Sequence, residues 1–294
     1  MHDGSSRSHG GPLRSRAQGC ARAQIGSRAL TEYRQAQSPG ALARGFRAIA
    51  VLALIGGLLL LAASPASAAR PRCFGKRATI VGNSHANHIT GTPHADVIVG
   101  GGGDDFVKGG GGNDTICGNG GNDTIGGARG DDFIAGGRKG DKLFGSKGND
   151  VLVGDVAVTG GGTARGGAND KLYGEAGRDL VIGDSYSPSG KARGGGNDIL
   201  NAGTEGDTVV GDSYTRTGSA SGGGRDRVHA EGGDDFLYGD SHAASGGRVS
   251  GGGKDVLAAA AGRDHLNGGP RRNLCDGGPN RDTAVHCRVR LSIP

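Results

Sequence analysis

Residues 100–127 read GGGGDDFVKGGGGNDTICGNGGNDTIGG, a stretch made mostly of Gly, Asn and Asp. Such a composition ordinarily describes a flexible linker. The spacing argues otherwise. Asp105, Asp114 and Asp123 stand nine residues apart, and two residues after each comes an aliphatic: Val107, Ile116 and Ile125. A linker has no physical reason to hold that phase.

Outward from this stretch the period persists. From Gly82 to Val153 the chain divides without a gap into eight nonapeptides: GNSHANHIT, GTPHADVIV, GGGGDDFVK, GGGGNDTIC, GNGGNDTIG, GARGDDFIA, GGRKGDKLF and GSKGNDVLV. Their sixth places are Asn87, Asp96, Asp105, Asp114, Asp123, Asp132, Asp141 and Asp150, and every eighth place is Val, Ile or Leu. Beyond residue 153 the pattern stretches without losing its pairing. Asp170, Asp179, Asp198, Asp207, Asp226, Asp235, Asp255 and Asp264 are followed two places later by Leu172, Val181, Leu200, Val209, Val228, Leu237, Leu257 and Leu266.

Each residue type has a physical reason for its place. Gly at places one, two and four permits positive φ, so the backbone can curl and aim its carbonyls at one point. One Asp per turn supplies charge, and calcium takes six to eight oxygen ligands, both carbonyl and carboxylate. The three residues around the aliphatic alternate faces as a strand does, so that the aliphatic alone enters a narrow core. One buried aliphatic per nonapeptide returns little against the cost of ordering so much glycine. An ion bound only by the folded state is therefore expected to hold the turns together.

The pattern matches G-G-x-G-x-D-x-U-x, where U is a large aliphatic. The chain resembles the hemolysin-type (RTX) calcium-binding repeat proteins over about residues 82–285. The resemblance implies an all-β fold, a parallel β-roll or β-helix solenoid in which six residues turn, three form a strand and U points inward. It also implies several calcium ions, each between turns one coil apart. The sixth-place carboxylates named above, Asp96 through Asp264, are then the candidate metal ligands. Departures weaken some sites. Asn87 lacks the charge, His85 and His94 replace the fourth-place Gly, Lys139 does so ahead of Asp141, and AAAGRDHLN (259–267) loses two glycines.

The second half keeps a different beat. Asp170, Asp198, Asp226 and Asp255 are 28, 28 and 29 residues apart. Six residues before each stands Ala164, Ala192, Ala220 or Val249, which reads as a degenerate third strand. Gly-Asp recurs at Asp155, Asp184, Asp212 and Asp240; these carboxylates are either extra ligands or makers of local Asx turns.

The formal charge of +5 suggests an anionic partner until it is divided along the chain. Residues 1–68 carry eight Arg and two acids, whereas residues 96–264 carry 17 Lys plus Arg against 25 Asp plus Glu. The repeats thus attract cations, and nucleic acid is not expected as a partner. Arg44 and Arg47 precede an apolar run, Ala48 to Ala63, and then the A-x-A site Ala66-Ser67-Ala68. This order is that of a signal peptide cleaved after Ala68, with a retained anchor as the alternative. The chain is expected to be secreted, with no membrane contact after cleavage. Export permits disulfides. Of the three pairings open to Cys73, Cys117, Cys275 and Cys287, the favoured one closes the short Cys275–Cys287 loop and leaves Cys73–Cys117.

The expected organisation is an N-terminal extension and signal peptide (1–68), a cap strand (69–81), regular repeats (82–153), stretched repeats with a superperiod of about 28 residues (154–267) and a C-terminal cap (268–294). Within that cap, alternation of Val285, Cys287, Val289 and Leu291 with His286, Arg288 and Arg290 suits one half-buried strand. Other motifs yield to the repeat. GDSY and GDSH resemble the serine block of GDS-type lipases but recur with the superperiod, so turn structure is the simpler reading. His85, His88 and His94 could bind zinc, yet two of them are merely fourth-place residues. Arg129-Gly130-Asp131 falls inside a nonapeptide. With no H-E-x-x-H and no P-loop, the expected function is a non-enzymatic, calcium-folded structural or cell-surface interaction module. The competing reading, a secreted hydrolase with a calcium-binding tail, needs a catalytic domain for which fewer than fifteen residues remain between leader and repeats.

Overall fold

The computed structural model describes residues 69–291, and within them every regular element is a strand. The apolar run and the cleavage site lie outside the described residues. Arg72–Cys73 and Lys76–Arg77 form a small antiparallel hairpin, turned by Phe74 and Gly75 at positive φ. From Ile80 onward the chain coils, and successive strands alternate between two ten-stranded parallel sheets. One runs from His88–Thr90 to Cys287–Leu291, the other from Ile80–Val81 to Thr283–Val285.

Register follows directly from the nonapeptide. Residues two repeats apart pair across neighbouring coils, so aliphatic stacks on aliphatic. Ile98, Ile116, Ile134, Leu152 and Val181 form one ladder, and Ile89, Val107, Ile125, Leu143 and Leu172 form the facing one. Together they make a single continuous core in which Ile116, Ile125, Ile134, Leu143 and Leu152 have no exposed surface. Parallel in-register pairing lets one side chain per strand fill a core this narrow. The narrow coils have six-residue strands such as Val97–Gly102 and Phe106–Gly111, twice the length the resemblance implies, because each strand continues through the first three places of the turn.

After Val153 the coils widen. Thr163–Arg165, Lys191–Arg193, Ser219–Ser221 and Val249–Ser250 form a four-stranded sheet, and Tyr186–Ser187, Tyr214–Thr215 and His242–Ala243 a three-stranded one. Ala164, Ala192 and Ala220 are buried, as the third-strand reading expects, but Val249 on the last such strand is 49% exposed. The added space is filled by Val153, Ile182 and Val210 with a stack of Tyr186 on Tyr214, whose ring centroids are 5.8 Å apart. Cys73–Cys117 ties the hairpin to Thr115–Gly120, the third strand of its sheet, and Cys275–Cys287 closes the far end. The expected single C-terminal strand is divided in two. His286 adopts φ 55° between Thr283–Val285 and Cys287–Leu291, which belong to different sheets.

Candidate metal centre

Every sixth-place residue sits where a strand begins, at one of the two lines along which the sheets are joined. Asp105, Asp123, Asp141, Asp170, Asp198, Asp226 and Asp255 share one line. Asp96, Asp114, Asp132, Asp150, Asp179, Asp207, Asp235 and Asp264 share the other. Residues nine apart therefore lie on opposite lines, and those 18 apart meet in the narrow coils. All fifteen are buried, with Asp96 the most exposed at 7%.

The two oxygens of each carboxylate are treated differently. Oδ1 accepts the backbone N–H of the sixth-place residue one coil earlier: Asp123 from Asp105 at 2.8 Å, Asp132 from Asp114 at 2.7 Å, Asp170 from Asp141 across the first wide coil at 2.6 Å. Oδ2 has no partner at any of these positions from Asp105 to Asp264. A buried unpaired carboxylate oxygen is costly and seldom left so in a native fold. Asp96, in the second nonapeptide, is the exception. Its Oδ2 accepts from the Thr92 N–H and hydroxyl, each at 2.8 Å, and its Oδ1 from Thr79.

What Oδ2 faces is shown by the glycines. A methyl added at Gly118 would collide with Asp123 Oδ2 and lie 2.5 Å from the Gly136 carbonyl oxygen; one at Gly109 would meet Asp114 Oδ2 and the Gly127 oxygen. The first-place glycine is thus the wall of a cradle lined by a carboxylate and by carbonyls of the next coil. The ends of the first line show what the cradle requires. There the carboxylate is replaced by Asn87 and by Asn273, and each amide nitrogen donates to carbonyls of its own turn, Asn87 to His85 and Asn273 to Gly268. Where the acid stands instead, acceptor faces acceptor, and a cation satisfies both. Among the described residues no three His, Cys, Asp or Glu side chains converge. An ion held here would complete its shell with backbone carbonyls and water, which suits a hard cation such as calcium and not zinc.

From Asp114 to Asp264 burial pushes these carboxyls up, and neighbouring carboxylates add to it at most of them, whereas at Asp96 burial is outweighed by the Thr92 and Thr79 hydrogen bonds and the carboxyl is lowered. The effect grows inward from the amino end, with Asp123 at about 6, Asp132 at about 7 and Asp141 at about 9. Burial opposes the charged form until something compensates it.

The RTX calcium-binding nonapeptide repeat (4 copies) matches residues 90–125, 126–156, 166–185, 220–242 and 249–284. The chain belongs to this family. Its repeats are calcium-binding repeats, and the all-strand parallel coil is the β-roll they form. Among curated proteins no relative matches the chain. The stretches between the matches, 157–165, 186–219 and 243–248, include much of the additional loops of the wide RTX coils.

Two members of the rows escape the aspartate-plus-aliphatic pattern. Asp282 lies 18 residues after Asp264, accepts the Asp264 N–H on its Oδ1 at 2.9 Å and has the same unpartnered Oδ2. Asn273 stands 18 residues after Asp255. Their eighth-place partners are Ala284 and Cys275, so only the 18-residue interval could have found them. The buried Ser185, Ser213 and Ser241 of the GDS segments occupy the wall of the wide coils.

Proposed function

We propose that this chain is an exported, non-enzymatic RTX protein in which calcium seated along two carboxylate rows drives formation of the β-roll, and that the resulting rigid rod serves as a structural or cell-surface interaction module. The observation that carries the reading is the repeated unpartnered Oδ2, aimed at turn carbonyls on both lines of the roll. Asp105 with Asp123 and Asp114 with Asp132 are the strongest bracketing pairs, because the turns around them hold the fullest glycine pattern. Calcium supplies positive charge and a large, pliable oxygen shell; the chain supplies the carboxylates, the curled carbonyls and a core that forms only when coils stack. Two disulfides fit an oxidising compartment, and extracellular modules bind calcium in the range of about 0.1–1 mM, which suits folding after export.

Expression of the full chain in a secreting host tests the reading. Terminal sequencing of the released protein should begin at Ala69, and that protein should bind calcium in equilibrium dialysis. Recovery only in the membrane fraction with residues 1–68 intact would overturn the export claim. A released protein that binds no calcium would overturn the metal claim.

A further inference from the structure

In the narrow coils the residue after the first-place glycine turns with a left-handed backbone, as at Gly101, Gly110 and Gly137, and brings no carboxylate. In the wide coils that second place holds Asp155, Asp184, Asp212 or Asp240, none at positive φ, and the added loop leaves directly after it. The loop returns to the same turn. Methyls on Gly154, Gly183 and Gly211 would meet Oδ2 of Asp170, Asp198 and Asp226, just as one on Gly136 would meet Asp141 in a narrow coil. The insertion therefore keeps the cradle and brings a second carboxylate to the same turn.

These added carboxylates are enclosed. Asp184 and Asp212 have no exposed surface, and Asp155 and Asp240 almost none. Each is held by an N–H of the returning loop: Gly167 and Ala168 on Asp155, Gly196 on Asp184, Gly224 on Asp212, Gly253 on Asp240. The other oxygen of Asp212 and of Asp240 has no partner. Burial, and then the charges of Asp198, Asp212 and Asp155, push the Asp184 carboxyl up. Across the turn, the glycine whose N–H holds the second-place carboxylate also stands against the sixth-place one: a methyl on Gly196 would lie 3.0 Å from Asp198 Oδ1, one on Gly224 3.1 Å from Asp226 Oδ1, and one on Gly253 would collide with Asp255 Oδ1. At Asp240 burial outweighs both the Gly253 hydrogen bond and the Arg271 charge, and the carboxyl is raised.

We propose that the wide coils carry a second class of cation seat, in which a second-place and a sixth-place carboxylate, such as Asp184 with Asp198, together hold one divalent hard cation. This rests on the reading of the rows as calcium sites. It adds ligands that the nonapeptide pattern does not contain. Two carboxylates in place of one raise the ligand charge, so these seats fill at lower free calcium than the narrow turns.

The test is equilibrium dialysis of the full chain against calcium alone, comparing wild type with the double variant Asp184→Asn, Asp212→Asn. Asparagine keeps an acceptor for the Gly196 and Gly224 N–H groups and removes the charge. The variant should lose one tightly bound ion per substituted coil, or bind it weaker by on the order of tenfold, while the weaker class persists. Should the double variant fail to fold, Asp240→Asn at the rim of the row gives the same reading by loss of a single tight ion. An unchanged tight class in a folded variant would overturn the proposal and leave a row held by shared protons, with the two sixth-place rows still standing as calcium sites. A wild type that binds no calcium would overturn both.

Discussion

At Asp123 one oxygen is committed to the backbone of Asp105 and the other is left facing carbonyls, and the glycine at Gly118 is what keeps that second oxygen accessible to an ion. The glycines of this chain are consequently of two kinds. Gly118→Ala places a methyl in the cradle, against Asp123 Oδ2 and the Gly136 oxygen. It should cost about 1–3 kcal/mol of stability in calcium, as overfilled sites do, and should raise the calcium midpoint. Gly126→Ala meets nothing within 4 Å and needs no positive φ. It should change stability by less than about 0.5 kcal/mol. Denaturant titrations of both variants in saturating calcium check this; equal effects would mean that the first-place glycine serves only chain flexibility.

At the level of the coil, the cost of stacking carboxylates sets a pH dependence. Burial, followed by the carboxylates of neighbouring coils, raises Asp132 and Asp170 to about 7, Asp198 and Asp255 to about 8 and Asp226 to about 9, from an ordinary 3.8. The folded chain without calcium thus keeps protons that the unfolded chain releases above pH 4. Its stability is fully present below about pH 4 and is lost as pH rises through about 7 to 9. Calcium replaces those protons, so its affinity should rise across the same window. Circular dichroism in chelator should show more β-structure at pH 5 than at pH 8, with the calcium midpoint falling between pH 6 and pH 8; midpoints independent of pH would contradict it. The coil is also where legibility ended. The aspartate-plus-aliphatic pairing exposes each narrow turn because spacing and chemistry coincide there. It misses Asp282, whose aliphatic partner is reduced to Ala284, and it left Asp184 and its equivalents open between ligand and local turn. Their hydrogen bonds reach twelve or thirteen residues ahead, which makes them loop anchors and not Asx turns, a distance no local pattern signals.

For the whole roll, the same repetition that makes the fold readable makes it dependent on its ions. A ladder of single aliphatics forms one continuous core, but each coil contacts little beyond its neighbours, so order propagates from turn to turn. Two lines of like charge run along that core, and without cations they oppose stacking. The most direct measurement is β-structure against free calcium near pH 7.5 for wild type, Asp123→Asn and Asp276→Ala. Asp123 lies between the coils of Asp105 and Asp141 and should affect both, whereas Asp276 lies off both rows. The account predicts little β-structure in chelator, a cooperative rise as calcium approaches about 1 mM, a clear shift to higher calcium for Asp123→Asn and none for Asp276→Ala. Full β-structure in chelator at that pH, or equal behaviour of the two variants, would contradict it.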